Sequence, residues 1–142
     1  MALGSTSMAR GRDLSGVVMP GRGLGQERLA HSDTLARLQE LLGFPVIPGT
    51  LNLRLPNPLE RNLFSRYVPA AEIGAGWEAD TGQAGYFLAP ILVADRFRGT
   101  AFQADEPGYP PDQLELLCEV HLRRTLGLRD GDRVAFSVLT SE

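Results

Sequence analysis

The sequence predicts a mainly β fold: a β-rich barrel that carries two helices in a single domain. Three observations predict it. The 142 residues include 16 glycines and 10 prolines, a composition that calls for many turns and short strands rather than a helical bundle. Thr50–Leu55 alternates polar and apolar residues without a break, the period of a strand with one wet face. Only two segments space their apolar residues as a helix does. A chain of this length can bury a core without staples, and one domain is the natural division.

The elements follow in order. Met1 to Arg12 is small and polar with no hydrophobic period, and is set aside as a disordered tail or tag remnant, with the domain running over residues 13–142. It lacks the apolar centre of a secretory signal, so the expected compartment is cytoplasmic. Leu14–Met19 reads as a first strand that stops at Pro20, and Gly21-Arg22-Gly23-Leu24-Gly25 as a glycine-rich loop. Ser32 or Asp33 caps a helix reaching Leu42, with Leu35, Leu38, Leu41 and Leu42 on one face and Gly43 at its stop. After the strand at 50–55, a polar connection spans Pro56–Asn62, and residues 63–80 fit neither period. Gly85–Ala94 is an apolar run interrupted by Pro90, one or two buried strands. Asp105–Pro111 is a turn-rich insertion with three prolines. Asp112 to about Leu126 reads as the second helix, with Leu114, Leu117, Cys118, Leu122 and Leu126 apolar. Asp130-Gly131 is a tight turn before a last strand at Arg133–Leu139. The sequence holds no repeat and no coiled-coil heptads.

Composition excludes several chemistries. The net charge is −3, so no basic field recruits nucleic acid. No apolar run is long enough to span a bilayer as a helix. A single cysteine, Cys118, rules out an intrachain disulfide and a multi-cysteine zinc site. All 14 cationic side chains are arginine. A Walker A lysine, a Schiff-base lysine and a kinase-type strand lysine are therefore absent. A phosphotransfer enzyme of this composition must use arginines, backbone amides, helix dipoles and a metal.

Three segments can carry chemistry. The alternate glycines at 21, 23 and 25 let backbone amides approach an anion, with Arg22 adding charge; a hairpin turn would look the same. Thr50 and Asn52 lie two apart on a strand and so share a face. Their neutral oxygens suit magnesium that also keeps waters and phosphate oxygens, although a polar strand edge has the same pattern. Glu115, beside the apolar positions Leu117 and Cys118, is a candidate base if partly buried and a solvated charge otherwise. Cys118 reads as a small core residue and His121 as a surface residue.

In this order and spacing the segments resemble the archaeal CTP-dependent riboflavin kinase family, over about Leu14 to Val138. The resemblance is carried by Leu42-Gly43-Phe44 followed by Pro48-Gly49-Thr50-Leu51-Asn52-Leu53. It is carried also by Leu122-Arg123 followed by Leu126-Gly127-Leu128-Arg129-Asp130-Gly131-Asp132-Arg133-Val134, with the 21–25 loop at the place of the family's first nucleotide-binding loop. The resemblance implies a six-stranded cradle-loop β-barrel that moves the γ-phosphate of CTP to the ribityl 5′-hydroxyl of riboflavin, giving FMN and CDP. It implies Thr50 and Asn52 as Mg2+ ligands. It places Gly21, Arg22, Gly23, Leu24, Gly25, Gln26 and Glu27 on the nucleotide, with Val120, His121, Leu122 and Arg123 making a second set of contacts. It places Thr100 and Glu115 on the flavin, Glu115 being the candidate base. A monomer without membrane or nucleic-acid partners is expected. This sequence departs from the family pattern at Pro20-Gly21, Glu27, His121 and Phe102, and over 105–111. A non-catalytic nucleotide- or flavin-binding module, a kinase for another small alcohol, and a cradle-loop transcription factor are the alternatives.

Overall fold

The computed structural model describes residues 8–20, 32–48 and 50–141. Seven strands run in chain order: β1 (Met8–Met19), β2 (Leu51–Arg54), β3 (Arg66–Pro69), β4 (Gly85–Val93), β5 (Phe97–Asp105), β6 (Gln113–Cys118) and β7 (Arg133–Ser141). Four α-helices accompany them among the described residues: α1 (Ser32–Leu42), α2 (Ala70–Ile73), α3 (Trp77–Thr81) and α4 (Leu122–Leu126), with one 3₁₀ turn at Arg61–Leu63. No helix among the described residues is long and apolar enough to cross a membrane.

All pairings are antiparallel, in the order β3-β4-β5-β6-β2-β1-β7, and a β4–β7 pairing closes the ring. The result is the expected six-stranded barrel, with β3 as a seventh strand outside it. β4 serves two partners along one edge. Its first half pairs β3 through Leu88, and its end pairs β7 from Ile91. Pro90 falls at this hand-over, where its missing N–H interrupts neither ladder.

Side-chain alternation sorts the strands onto two faces. Leu51, Leu53, Ala89, Ile91, Val93, Ala101, Leu114, Leu116, Val134, Phe136 and Val138 fill the barrel. The opposite face of β4, β5 and β6 has its own core: Tyr86, Leu88, Phe102, Ala104 and Leu117 pack with Leu38 of α1, Phe44, Val46, Val68 and Ile73. The wall of the barrel is thus covered on both sides. α1 ends as expected: Gly43 adopts a φ of 80° and its N–H bonds the Gln39 carbonyl at 2.9 Å, a left-handed stop that glycine makes without steric cost.

Three expectations need correction. The helix expected over Asp112–Leu126 is a strand, β6, followed after a turn by the single short helix α4. Leu114, Leu117 and Cys118 have helical spacing, but they lie on opposite faces of a strand buried on both sides, which reads as a continuous apolar run. The first strand begins at Met8, so residues 8–12 belong to the barrel, paired with β7 from Ser141 back to Val138; residues 1–7 lie outside the described residues. Two helices become four, because the unassigned segment 63–80 holds β3, α2 and α3.

At Gly99 the β5 backbone runs close against β6. A Cβ there would sit 2.6 Å from the Leu117 carbonyl oxygen, a backbone atom that cannot step aside. Gly99→Ala is expected to destabilise the fold by about 1–3 kcal/mol, read as a lower urea midpoint. An unchanged midpoint would show that the β5–β6 spacing is looser than described.

Candidate functional site

The outer face of the barrel wall carries the polar residues. Asn52 on β2 lies directly opposite Glu115 on β6, and Glu115 lies opposite Phe102 on β5. Directly opposed residues in an antiparallel pair project to the same face. Thr50 stands two residues before Asn52, and Thr100 two before Phe102, so both share that face. The strand alternation that sends Leu51, Leu53, Leu114 and Leu116 inward therefore aims Thr50, Asn52, Thr100 and Glu115 outward together.

These side chains open into a cavity of about 800 Å³, bounded by the wall, by α1, α3 and α4, and by the loop between β5 and β6. That volume is in the range of small-molecule sites. One group of lining residues is Thr50, Asn52, Glu115 and Val120–Arg123; another mixes the apolar Trp77, Tyr86, Phe102 and Ile73 with the polar Asp80, Thr81 and Gln83. The Trp77 indole donates to the Tyr86 hydroxyl at 2.6 Å, and the Tyr86 hydroxyl donates to Gln83 Oε1. The Tyr86 and Phe102 rings meet edge to face, with centroids 5.6 Å apart.

In the first group, Glu115 is half-buried. The Tyr109 hydroxyl donates to its Oε2 at 2.8 Å, and the Thr50 hydroxyl makes a long 3.5 Å contact with its Oε1. Burial first, and then the Glu115 carboxylate, push the Tyr109 hydroxyl far above its ordinary range, so it remains a proton donor. Asn52 is 8% exposed. Its side chain lines the cavity, and among the described residues no side-chain nitrogen or oxygen is fully buried without a partner. The amide oxygen therefore meets open space rather than the core, where a ligand can reach it.

The described residues hold no cluster of three or more His, Cys, Asp or Glu side chains. The donors present are the Thr50 hydroxyl, the Asn52 amide oxygen and the Glu115 carboxylate. These are hard oxygen ligands, too few to encase an ion alone, and they fit a magnesium ion that keeps waters and shares phosphate oxygens.

α4 is tied to the end of β1. Arg123 donates from Nη2 to the Met19 carbonyl at 3.1 Å and to Asp130 Oδ1 at 2.7 Å. His121 caps the helix, its Nδ1 accepting from the Arg124 N–H at 3.2 Å. Arg123 therefore links the second set of expected nucleotide residues to the point where the chain enters the glycine loop. The loop itself, Gly21 through Glu27, lies outside the described residues.

The cavity thus gathers Thr50, Asn52, Thr100, Glu115 and Val120–Arg123. Two placements differ from the sequence reading. Glu115 projects from a strand rather than a helix, and His121 is a capping residue at the cavity rather than a surface one. Cys118 is buried, as expected of a core residue; its thiol bonds the Arg98 carbonyl at 3.0 Å, and burial pushes its pKa up. Sequence reasoning missed Trp77, Tyr86 and Tyr109. Tyr86 sat within an apolar run, Trp77 within the unassigned segment, and Tyr109 within an insertion; the one signal was an aromatic standing alone among glycine and prolines.

The family model of the CTP-dependent riboflavin kinase domain, described as "Domain of unknown function DUF120", matches residues 18–138. The riboflavin kinase of Methanococcoides burtonii is 34% identical over 130 residues, which cover 89% of this chain and 56% of that protein. The riboflavin kinase of Methanocella arvoryzae is 32% identical over 124 residues, 85% of this chain and 54% of that protein. That of Pyrobaculum islandicum is 29% identical over 127 residues, 88% and 59% respectively. The chain spans a little over half the length of these relatives.

The cavity-facing Asn52 amide yields a prediction about stability alone. A side chain that opens onto a cavity rather than into the core contributes little to folding, so Asn52→Leu is expected to change stability by less than about 1 kcal/mol, read as a thermal midpoint that moves by only a few degrees. A fall of several degrees would mean that the amide serves the fold rather than a ligand.

Proposed function

We propose that this chain, which belongs to the CTP-dependent riboflavin kinase family, phosphorylates the ribityl 5′-hydroxyl of riboflavin with the γ-phosphate of CTP, giving FMN and CDP. One observation supports the reading above others: Thr50, Asn52, Thr100 and Glu115 share one face of the barrel wall and open into one cavity that also holds the Tyr86 and Phe102 rings. The donor's identity rests on the family.

In this reading Thr50 and Asn52 hold a magnesium ion through neutral oxygens, and Gly21 through Glu27 with Val120 through Arg123 hold the nucleotide. Bound there, the ion neutralises charge developing on the transferred phosphoryl group. Glu115 accepts the proton of the attacking hydroxyl. The new bond joins the ribityl 5′-oxygen to the γ-phosphorus; the bond from that phosphorus to the bridging oxygen breaks, and CDP leaves. The Phe102 and Tyr86 rings, which meet edge to face beside Thr100, take the flavin, with Thr100 among its contacts. No lysine is needed, because positioning and the ion supply what a P-loop lysine supplies elsewhere. Every group named comes from one chain, so a monomer suffices.

Incubation of the purified protein with riboflavin, magnesium and each nucleoside triphosphate is expected to form FMN with CTP in preference to the others. FMN from ATP but not CTP would overturn the donor; no FMN from any donor would overturn the kinase reading, and tight CDP binding without turnover would point to a binding module. Within an active protein, Glu115→Gln should lower kcat by about 10²- to 10⁴-fold. Thr50→Val should raise the magnesium concentration needed for half-maximal rate.

A further inference from the structure

We infer that Tyr109, carried by the proline-rich loop between β5 and β6, is a positioning residue that fixes the Glu115 carboxylate for phosphoryl transfer. The inference rests on the kinase reading above and extends it to a residue outside the groups that reading uses.

The loop is built more firmly than a surface turn requires. Pro107, Pro110 and Pro111 restrict the backbone. Gln103, 4% exposed, sends its amide to the carbonyls of Pro111 at 3.1 Å and Gln113 at 2.9 Å. The carbonyls of Asp112 and Pro111 also accept from the N–H groups of Leu55 at 2.7 Å and Leu59 at 3.2 Å. Gly108, at a φ of 81°, lets the chain reverse immediately before Tyr109. Tyr109 then packs beside the second core and places its hydroxyl 2.8 Å from Glu115 Oε2.

A carboxylate on a glutamate stem has several rotamers. With Oε2 engaged by Tyr109, Oε1 is the oxygen directed at Thr50. The hydrogen bond selects the orientation in which the proton-accepting oxygen stands beside the proposed metal ligand. A bond from a neutral donor to an ionised acceptor is strong enough to make that selection. Tyr109 itself touches neither the phosphate nor the acceptor hydroxyl in this account; it acts through Glu115.

The test is a double-mutant cycle of Tyr109→Phe and Glu115→Ala. Single-turnover FMN formation, with protein in excess, keeps slow variants measurable over hours. Tyr109→Phe retains the ring and its packing. It is expected to lower the transfer rate about 10- to 100-fold, with the Kd for CDP and for riboflavin changed less than about 2-fold. In the Glu115→Ala background the same substitution is expected to change the rate less than about 2-fold, because residues acting as a unit are not additive. Equal losses in both backgrounds, no loss in the first, or a loss confined to riboflavin affinity would each overturn the assignment while leaving the kinase reading intact. Failure of the unsubstituted chain to form FMN with any donor would instead remove the kinase reading and the assignment with it.

Discussion

The pairing of β2 with β6 is the constraint on which the site depends. Leu51 and Leu53 face Leu116 and Leu114 across this ladder, and all four point into the barrel. A slip of one residue would turn these leucines outward and drive Asn52 and Glu115 into the apolar interior. Burial of each leucine contributes about 1.5–3 kcal/mol, so the register is worth far more than any interaction the polar residues make with each other. The four leucines hold the register, and the register in turn holds an amide opposite a carboxylate. The site is a by-product of packing on the other side of the same wall.

The second core explains why that outer face is not simply solvent-facing. In most half-buried sheets the residues opposite the core are wet. Here Leu38 of α1, Phe44, Val46, Ile73 of α2 and Val68 of β3 pack on the outer face of β4, β5 and β6 as far as Leu117, and the Ile47 N–H bonds the Cys118 carbonyl at 3.1 Å. The cavity lies against this cover. It takes Tyr86 and Phe102 from the second core, and Thr50, Asn52 and Glu115 from the barrel wall. A cavity with both aromatic rings and polar side chains has room for the proposed substrate, an apolar ring system attached to a hydroxylated chain.

The sequence made some of this legible and hid the rest for identifiable reasons. The strand at 50–55 was readable because its alternation reflects one interior and one cavity-facing side. Helix α1 was readable from the period of Leu35, Leu38, Leu41 and Leu42 and the stop at Gly43. β6 was not, because Leu114, Leu116, Leu117 and Cys118 are buried on both faces and a doubly covered strand carries no period. The shared face of Thr50 and Asn52 follows from strand geometry alone, whereas the meeting of Asn52 with Glu115, 63 positions later in the chain, depends on a register no local pattern encodes. Tyr109 was hidden for the same reason: only the folded loop brings it to Glu115.

The central claim is that the outer face of the β2–β6 wall holds the metal, beside the nucleotide held by the 21–27 and 120–123 segments. Paramagnetic broadening of backbone amide signals by Mn2+ in the presence of CDP tests it directly, since the effect falls off steeply with distance from the ion. The account predicts that signals of Leu51, Asn52, Leu53 and Glu115 broaden first, with those of Leu122 and Arg123 close behind, and that omission of CDP weakens the effect. Broadening centred on exposed carboxylates such as Glu72 and Glu78, with the β2 and β6 signals left sharp, would contradict it.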